Sequence, residues 1–205
     1  MSKFNFKKEM KPLYNPPKGK FTMVEVPEMN FLMGDGAGDP NDNPQFQAIT
    51  EALYGLAYTI KFKCKAMEKD FVVPPLQGLW WMENMEEFSQ ERKDEWLWTL
   101  MIAMPPWVTP EMVEESRQEV AQKKDLPALP QLRFEGYQEG LSVQIMYLGA
   151  YADEGPTIAA MHDFIAQEGY VTNGKHHEIY LGDPRRNPPE KLKTVIRQPV
   201  SPTFS

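Results

Sequence analysis

The sequence predicts an α+β protein in which one order of elements, strand–helix–strand–strand, occurs twice as duplicated units. Two observations carry that expectation. Apolar residues at three- and four-residue steps mark a long helix over 43–67, and a second helical segment runs from Pro156 to Glu168. Apolar and β-branched runs flank each of them: 21–33, 79–82 and 96–104 in the first half, 132–148, 177–181 and 193–197 in the second. Identity between the halves, about 20–105 and 130–200, is slight, so the repeat is one of element order. Each unit would leave one sheet face uncovered, and pairing the two buries it. A ligand cleft along the pseudo-twofold axis is the expected consequence, since pockets favour junctions between subdomains.

Residues 1–19 are polar and close on Pro16-Pro17-Lys18-Gly19, an N-terminal arm leading into one domain over 20–205. Phe21-Thr22-Met23-Val24-Glu25-Val26 opens the first strand, expected to continue past Pro27 to Met33. Gly34-Asp35-Gly36-Ala37-Gly38-Asp39-Pro40 reads as a turn needing positive φ. Its two aspartates, with no Lys-Ser/Thr after it, set it apart from a phosphate cradle. Asn43 caps a helix with Pro44 at its first position, and Phe46, Ile49, Leu53, Leu56 and Ile60 form one apolar stripe. Lys61, Lys63, Lys65 and Lys69 gather at its end, where positive charge suits the helix dipole.

After Pro74-Pro75, Leu79-Trp80-Trp81-Met82 is a short strand, and the acidic excursion from Glu83 to Glu95 is a hairpin loop or a helical turn. The near-continuous apolar run from Trp96 to Met104 reads as a central strand covered on both faces. Thr109-Pro110-Glu111 starts a second helix that runs to about Lys124 with Met112, Val113, Ser116 and Val120 inside. Leu132–Glu135 and Leu141–Leu148 are expected as one long or bent strand interrupted by Gly136 and Gly140. Gly169 ends the helix that starts at Pro156, and Asn187-Pro188-Pro189-Glu190 offers a capping box for a single turn.

Composition narrows the function classes. The 205 residues are 41% hydrophobic and 25% charged, an ordinary globular balance, and long enough to bury a sizeable core. A net charge of −7 argues against an electrostatic nucleic-acid partner. No run approaches the length of a membrane span, and the basic N-terminus lacks an apolar signal core, so a cytoplasmic protein without a membrane partner is expected. Cys64, the single cysteine, is read as a small core hydrophobe on a helix. No cofactor motif stands out.

The candidate chemistry lies in Lys175-His176-His177-Glu178-Ile179-Tyr180-Leu181-Gly182-Asp183-Pro184-Arg185-Arg186. In a strand, Glu178 and Tyr180 share a face, so a carboxylate and a phenol stand side by side, able to accept and donate protons. Two readings of Glu178 stand. It pairs with Arg185 or Arg186, or it sits unpaired in a pocket, where burial raises its pKa and makes it a base usable near neutral pH. All five tryptophans lie from Trp80 to Trp107. Trp80 or Trp81, together with Trp96 and Trp98 on one face of the next strand, reads either as plain core or as an aromatic wall for a ligand. If the halves align, Trp81 stands opposite Tyr180 across the cleft, though a slip of one residue exchanges Trp80 and Trp81. Val143, Ile145 and Tyr147 share a face on another strand. His176 and His177 point to opposite faces, which disfavours a shared metal ion, and His162 is the only other histidine.

That C-terminal stretch, followed by Pro189-Glu190-Lys191-Leu192-Lys193-Thr194-Val195-Ile196-Arg197-Gln198-Pro199-Val200, resembles the signature of GyrI-like small-molecule-binding proteins. Pro74-Pro75-Leu76-Gln77-Gly78-Leu79-Trp80-Trp81 and Gln144-Ile145-Met146-Tyr147-Leu148-Gly149-Ala150-Tyr151 fit the same stand-alone branch, and the resemblance covers the chain after its arm. It implies a tandem of the strand–helix–strand–strand (SHS2) unit around an aromatic cleft, with Glu178 as central acid and Tyr180, Tyr147 and the tryptophans lining it. In relatives fused to transcription regulators the domain binds hydrophobic, often cationic drugs. Stand-alone members include hydrolases of cyclopropanoid genotoxins. With no DNA-binding region ahead of the domain in this sequence, a regulator of the fused type is not expected. The resemblance therefore implies a detoxifying hydrolase for electrophilic aromatic ligands, a non-catalytic multidrug binder, or a gyrase-interacting protein.

Overall fold

A computed structural model describes residues 3–85, 89–184 and 186–203. In chain order the elements are α1 (Phe6–Glu9), α2 (Lys11–Tyr14), β1 (Thr22–Val26), β2 (Met29–Ala37), α3 (Pro44–Ala66), β3 (Gln77–Trp81) and β4 (Leu97–Met104). There follow α4 (Pro110–Lys123), β5 (Arg133–Tyr137), β6 (Gly140–Leu148), α5 (Gly155–Gln167), β7 (Tyr170–Thr172), β8 (His176–Tyr180) and β9 (Lys193–Pro202). The protein is a mixed α+β fold, as its sequence predicts, and its strands pair antiparallel.

The chain divides into two units. The first comprises residues 3–9 and Met29–Tyr137, with sheet order β3–β4–β2–β5. Ile49, Leu53, Leu56 and Ile60, one stripe of α3, are fully buried. Each contributes about 1.5–3 kcal/mol relative to an exposed position. Asn43 caps α3 by accepting from the amides of Gln45 and Phe46, and Thr109 caps α4 by accepting from that of Met112. From Trp98 onward β4 is buried throughout, as a continuous apolar run requires. Cys64 is buried against Met112, with sulfurs 3.6 Å apart.

The second unit comprises Met10–Glu28 and residues 138–203, with sheet order β1–β6–β9–β8 and β7 paired to the end of β9. Its core packs Val143, Ile145, Ile196 and Val200 of the sheet on Met161 and Ile165 of α5. Gly169 follows α5 at φ +79°, the glycine conformation expected of a helix stop.

Four expectations are corrected. Residues 21–33 form two strands, because the chain leaves β1 at Pro27; β1 then pairs β6 while β2 pairs β4 and β5. Likewise 132–148 is two strands, with the chain turning through Gly140 at φ +74°. Gly34 and Gly36 lie inside β2, not in a turn, and only Gly38, just past the strand at φ +87°, takes the expected positive φ. A Cβ on Gly36 would overlap the indole of Trp98, its cross-strand partner, so the glycine is needed for close approach. Of the acidic excursion, Gln90–Glu95 is a short 3-10 turn, and residues 86–88 lie outside the described residues. The expected capping box is also absent: Asn187 donates to the carbonyl of Asp183, and the turn at Pro189–Lys191 has no side-chain cap.

Candidate functional site

β8 has two faces of unlike chemistry. His176, Glu178 and Tyr180 alternate on one, His177 and Ile179 on the other. The Tyr180 hydroxyl donates to Oε2 of Glu178 at 2.8 Å, and Nε2 of His176 stands 3.2 Å from Oε1. The Glu178 side chain keeps 13% of its surface exposed. Among the described residues its partners on β8 are Tyr180 and His176, while Arg186 stands 3.6 Å from Asp183; Arg185, the other expected partner, lies outside the described residues.

A further carboxyl completes this arrangement. Glu154 follows the 3-10 turn Tyr151–Asp153 and begins α5, its carbonyl accepting from the amides of Thr157 and Ile158 at 2.9 and 3.0 Å. The residue is 1% exposed, and its carboxyl is hydrogen-bonded to that of Glu178. Oε1 of Glu154 has no hydrogen-bond partner among the described residues. The Tyr151 ring meets the Tyr180 ring edge-on at 5.4 Å. Tyr147 donates to the carbonyl of Ala150 at 3.1 Å, fixing the start of that turn.

Two buried carboxyls in contact do not both ionise. Burial first, and the Glu178 charge second, push Glu154 up to about 10, so it stays a neutral acid. Burial would raise Glu178 too, but the hydrogen bond and charge of His176 and the hydroxyl of Tyr180 outweigh it and hold Glu178 below the usual carboxylate range. One proton thus sits on Glu154, and Glu178 carries the charge. Burial pushes the Tyr147 hydroxyl up, with Glu154 and Asp153 adding to it.

The opposite face of β8 holds a closed ion cage. Nδ1 of His177 lies 2.8 Å from Glu139, and Nη1 of Arg197 donates to the same carboxylate at 3.0 Å. Nε of Arg197 donates to Gln144 at 3.1 Å, and Nη2 to the carbonyl of Leu13 at 2.7 Å. Against the burial that would raise it, the charges of His177 and Arg197 hold Glu139 at about 2. Burial pushes His177 down, against the charge and hydrogen bond of Glu139 that raise it, so imidazole and guanidinium share the one carboxylate.

The tryptophans lie in the first unit. Trp80, Trp96 and Trp98 are buried; Trp80 meets Trp96 edge-on at 5.6 Å and stacks near Phe46 at 6.4 Å. The indole N–H of Trp96 donates to Ser89, that of Trp98 to Gly38. Trp81 is half-buried, so the outward-facing member of the Trp80-Trp81 pair is Trp81. Among the described residues no group of three or more His, Cys, Asp or Glu is placed to hold a metal ion. No helix there is long and apolar enough to cross a membrane.

Of the residues singled out in the sequence, the structure brings Glu178 and Tyr180 into direct contact and ties Tyr147 to the turn that carries Glu154. Glu154 itself escaped sequence reasoning. An acid just ahead of a helix reads as ordinary dipole complement, and nothing local announces a partner on a distant strand. His176, weighed there only as a metal ligand, is the second donor to Glu178.

The family model of a GyrI-like small molecule binding domain matches residues 19–201. Among solved structures, the chain is similar to an uncharacterized conserved protein from Listeria innocua: 44% identity, 97% of this chain and 100% of that chain covered, TM-score 0.90. It is similar also to a hydrolase encoded by lin2189 from Listeria innocua, at 41% identity over 98% of this chain and 100% of that chain, TM-score 0.87. The EcmrR C-terminal domain shares the fold at 12% identity, with 89% and 98% covered and a TM-score of 0.56. No curated protein matches the chain.

Proposed function

The chain belongs to the GyrI-like small molecule binding domain family, and on that premise we propose that it takes planar, hydrophobic, electrophilic molecules at Glu178 and hydrolyses cyclopropanoid genotoxins there. The observation that carries this reading is the condition of Glu178: an ionised carboxylate, largely buried yet still open to the outside, aimed by Tyr180 and His176. Similarity to the Listeria innocua hydrolase supports turnover over binding alone.

In the reaction Glu178 takes a proton from water, whose oxygen bonds to the strained ring carbon. The ring C–C bond at that carbon breaks, and its electron pair passes into the conjugated carbonyl. That oxygen is protonated by Tyr180, which regains its proton from Glu178. The sum is addition of one water, its hydroxyl on the ring carbon and its hydrogen on the carbonyl oxygen, as one C–C bond is lost and the conjugated system takes up its electron pair. Positioned base catalysis contributes about 10²–10⁴-fold, enough for a ring already activated by strain. Tyr147 acts one step back, by fixing the turn that presents Tyr151 and Glu154. In the first unit, Trp81 retains the exposed surface that stacking on a flat ligand needs.

The test is incubation with a cyclopropane-containing alkylator in ¹⁸O-labelled water. Ring-opened product carrying the label is expected from the wild type and lost in Glu178→Gln. Full turnover by that variant removes Glu178 from the chemistry. A second reading, sequestration of lipophilic cations, is favoured by the Glu178 charge lying beside the paired Tyr151 and Tyr180 rings. It expects Glu178→Gln to weaken binding of a quaternary ammonium dye, with no product from any ligand.

A further inference from the structure

We propose that Glu154 is a positioning residue for Glu178: its buried carboxyl, carried on a different element, hydrogen-bonds the Glu178 carboxyl and fixes the direction in which that base faces. The inference rests on the reading of Glu178 as the base, and extends it to a residue on another element.

The geometry leaves Glu154 little else to do. Its residue is 1% exposed, its Oε1 has no hydrogen-bond partner among the described residues, and its carboxyl lies against the Thr194 hydroxyl and the Glu178 carboxyl, of which only the carboxylate calls for a proton. Its backbone is held from both sides, by the first turn of α5 and by the Tyr147 hydroxyl on Ala150. The titratable groups facing the pair are Tyr147 from β6, Asp153 from the turn, His176 and Tyr180 from β8, and His162 of α5 by way of His176. Among the described residues none of these is a lysine or an arginine, in contrast with Glu139, which has Arg197. A buried carboxyl lacking a fixed cation keeps its proton, and the pair divides its labour accordingly. Three donors, from Tyr180, His176 and Glu154, then converge on one carboxylate. A purely local role for Glu154, as the residue that opens α5, would need only its backbone.

The test combines titration with kinetics. Glutamate side-chain carboxyls are labelled with ¹³C and followed by NMR against pH in the wild type, Glu154→Gln and Glu154→Ala. The wild type is expected to hold one glutamate resonance at its protonated position through neutral pH, titrating only near pH 10, and that resonance is absent from Glu154→Gln. In Glu154→Ala the Glu178 titration moves up, and turnover of a cyclopropane-containing alkylator falls about tenfold or more in kcat with KM little changed. Glu154→Gln, which keeps a donor, recovers most of that loss and lacks the alkaline limb of the rate profile. An ionised Glu154 at neutral pH in the wild type overturns the inference, as does a Glu178 titration unmoved by loss of the acid. Should no form open the ring, the hydrolase reading falls, while the NMR titration still decides the role of Glu154. Should Glu154→Ala fail to fold, the wild type and Glu154→Gln carry the same decision.

Discussion

Tyr180 donates its hydroxyl to Oε2 of Glu178 at 2.8 Å from two positions along the same strand. That spacing, the period of a β-strand, makes the contact a local property of β8 and independent of any loop. A donor to the charged form stabilises that form, so the phenol acts on the acid before any ligand arrives.

Replacing Tyr180 by phenylalanine removes that donor and keeps the ring. The acid limb of the rate profile, set by Glu178, is expected to move up, and kcat to fall about tenfold or more. Rates of ring opening against pH measure both. A profile superposable on that of the wild type would show that Tyr180 does not govern the acid.

Glu154 makes stability depend on pH. In the folded chain it holds its proton up to about 10, against an ordinary value of 4.5, whereas in the unfolded chain it ionises at the ordinary value. The unfolded state therefore binds fewer protons between these limits, and stability falls as pH rises through that window, by at most about 1.4 kcal/mol per unit. Glu154→Gln mimics the protonated acid and removes the slope. The variant should gain stability over the wild type in urea unfolding at alkaline pH and gain little near pH 5. An equal difference at both would contradict a buried neutral acid.

Glu139 behaves in the opposite sense. Its folded value of about 2 lies below the ordinary 4.5, so its contribution is present above the higher value and is lost as pH falls toward the lower. The full contribution is about 3 kcal/mol. Arg197→Met strands the carboxylate and should destabilise the protein by about 3–5 kcal/mol at neutral pH while flattening the acid-side slope. Chemical unfolding across the acid range reads both effects.

Much of the fold was legible because its signals are local. Asn43 and Thr109 cap α3 and α4 as their sequence contexts demand, and the apolar run from Trp98 to Met104 is the buried strand it resembles. The alternation of His176, His177 and Glu178 placed the two imidazoles on opposite faces. What could not be read depends on contacts distant in sequence. Gly36 looks like a turn glycine until Trp98 is laid across it, sixty-odd residues on. Pro27 and Gly140 divide strands whose apolar content runs on past the break. Glu178 was placed by its strand, but its lowered pKa needs His176 as a donor and its charge needs Glu154 as the partner that keeps the proton.

The neighbouring positions 177 and 178 tether β8 to two incompatible surroundings. A displacement of this strand by one residue would bring His177 or Ile179 to the place of Glu178, and His176 or Glu178 to the place of His177. Either slip takes the Glu178 carboxylate away from Glu154, and one of the two sets it against Glu139, so the correct alignment is favoured by charge as well as by shape. Anyone transplanting the Glu178–Tyr180 couple into another scaffold must carry the hidden side of the strand with it, or the couple will not stay where it is put.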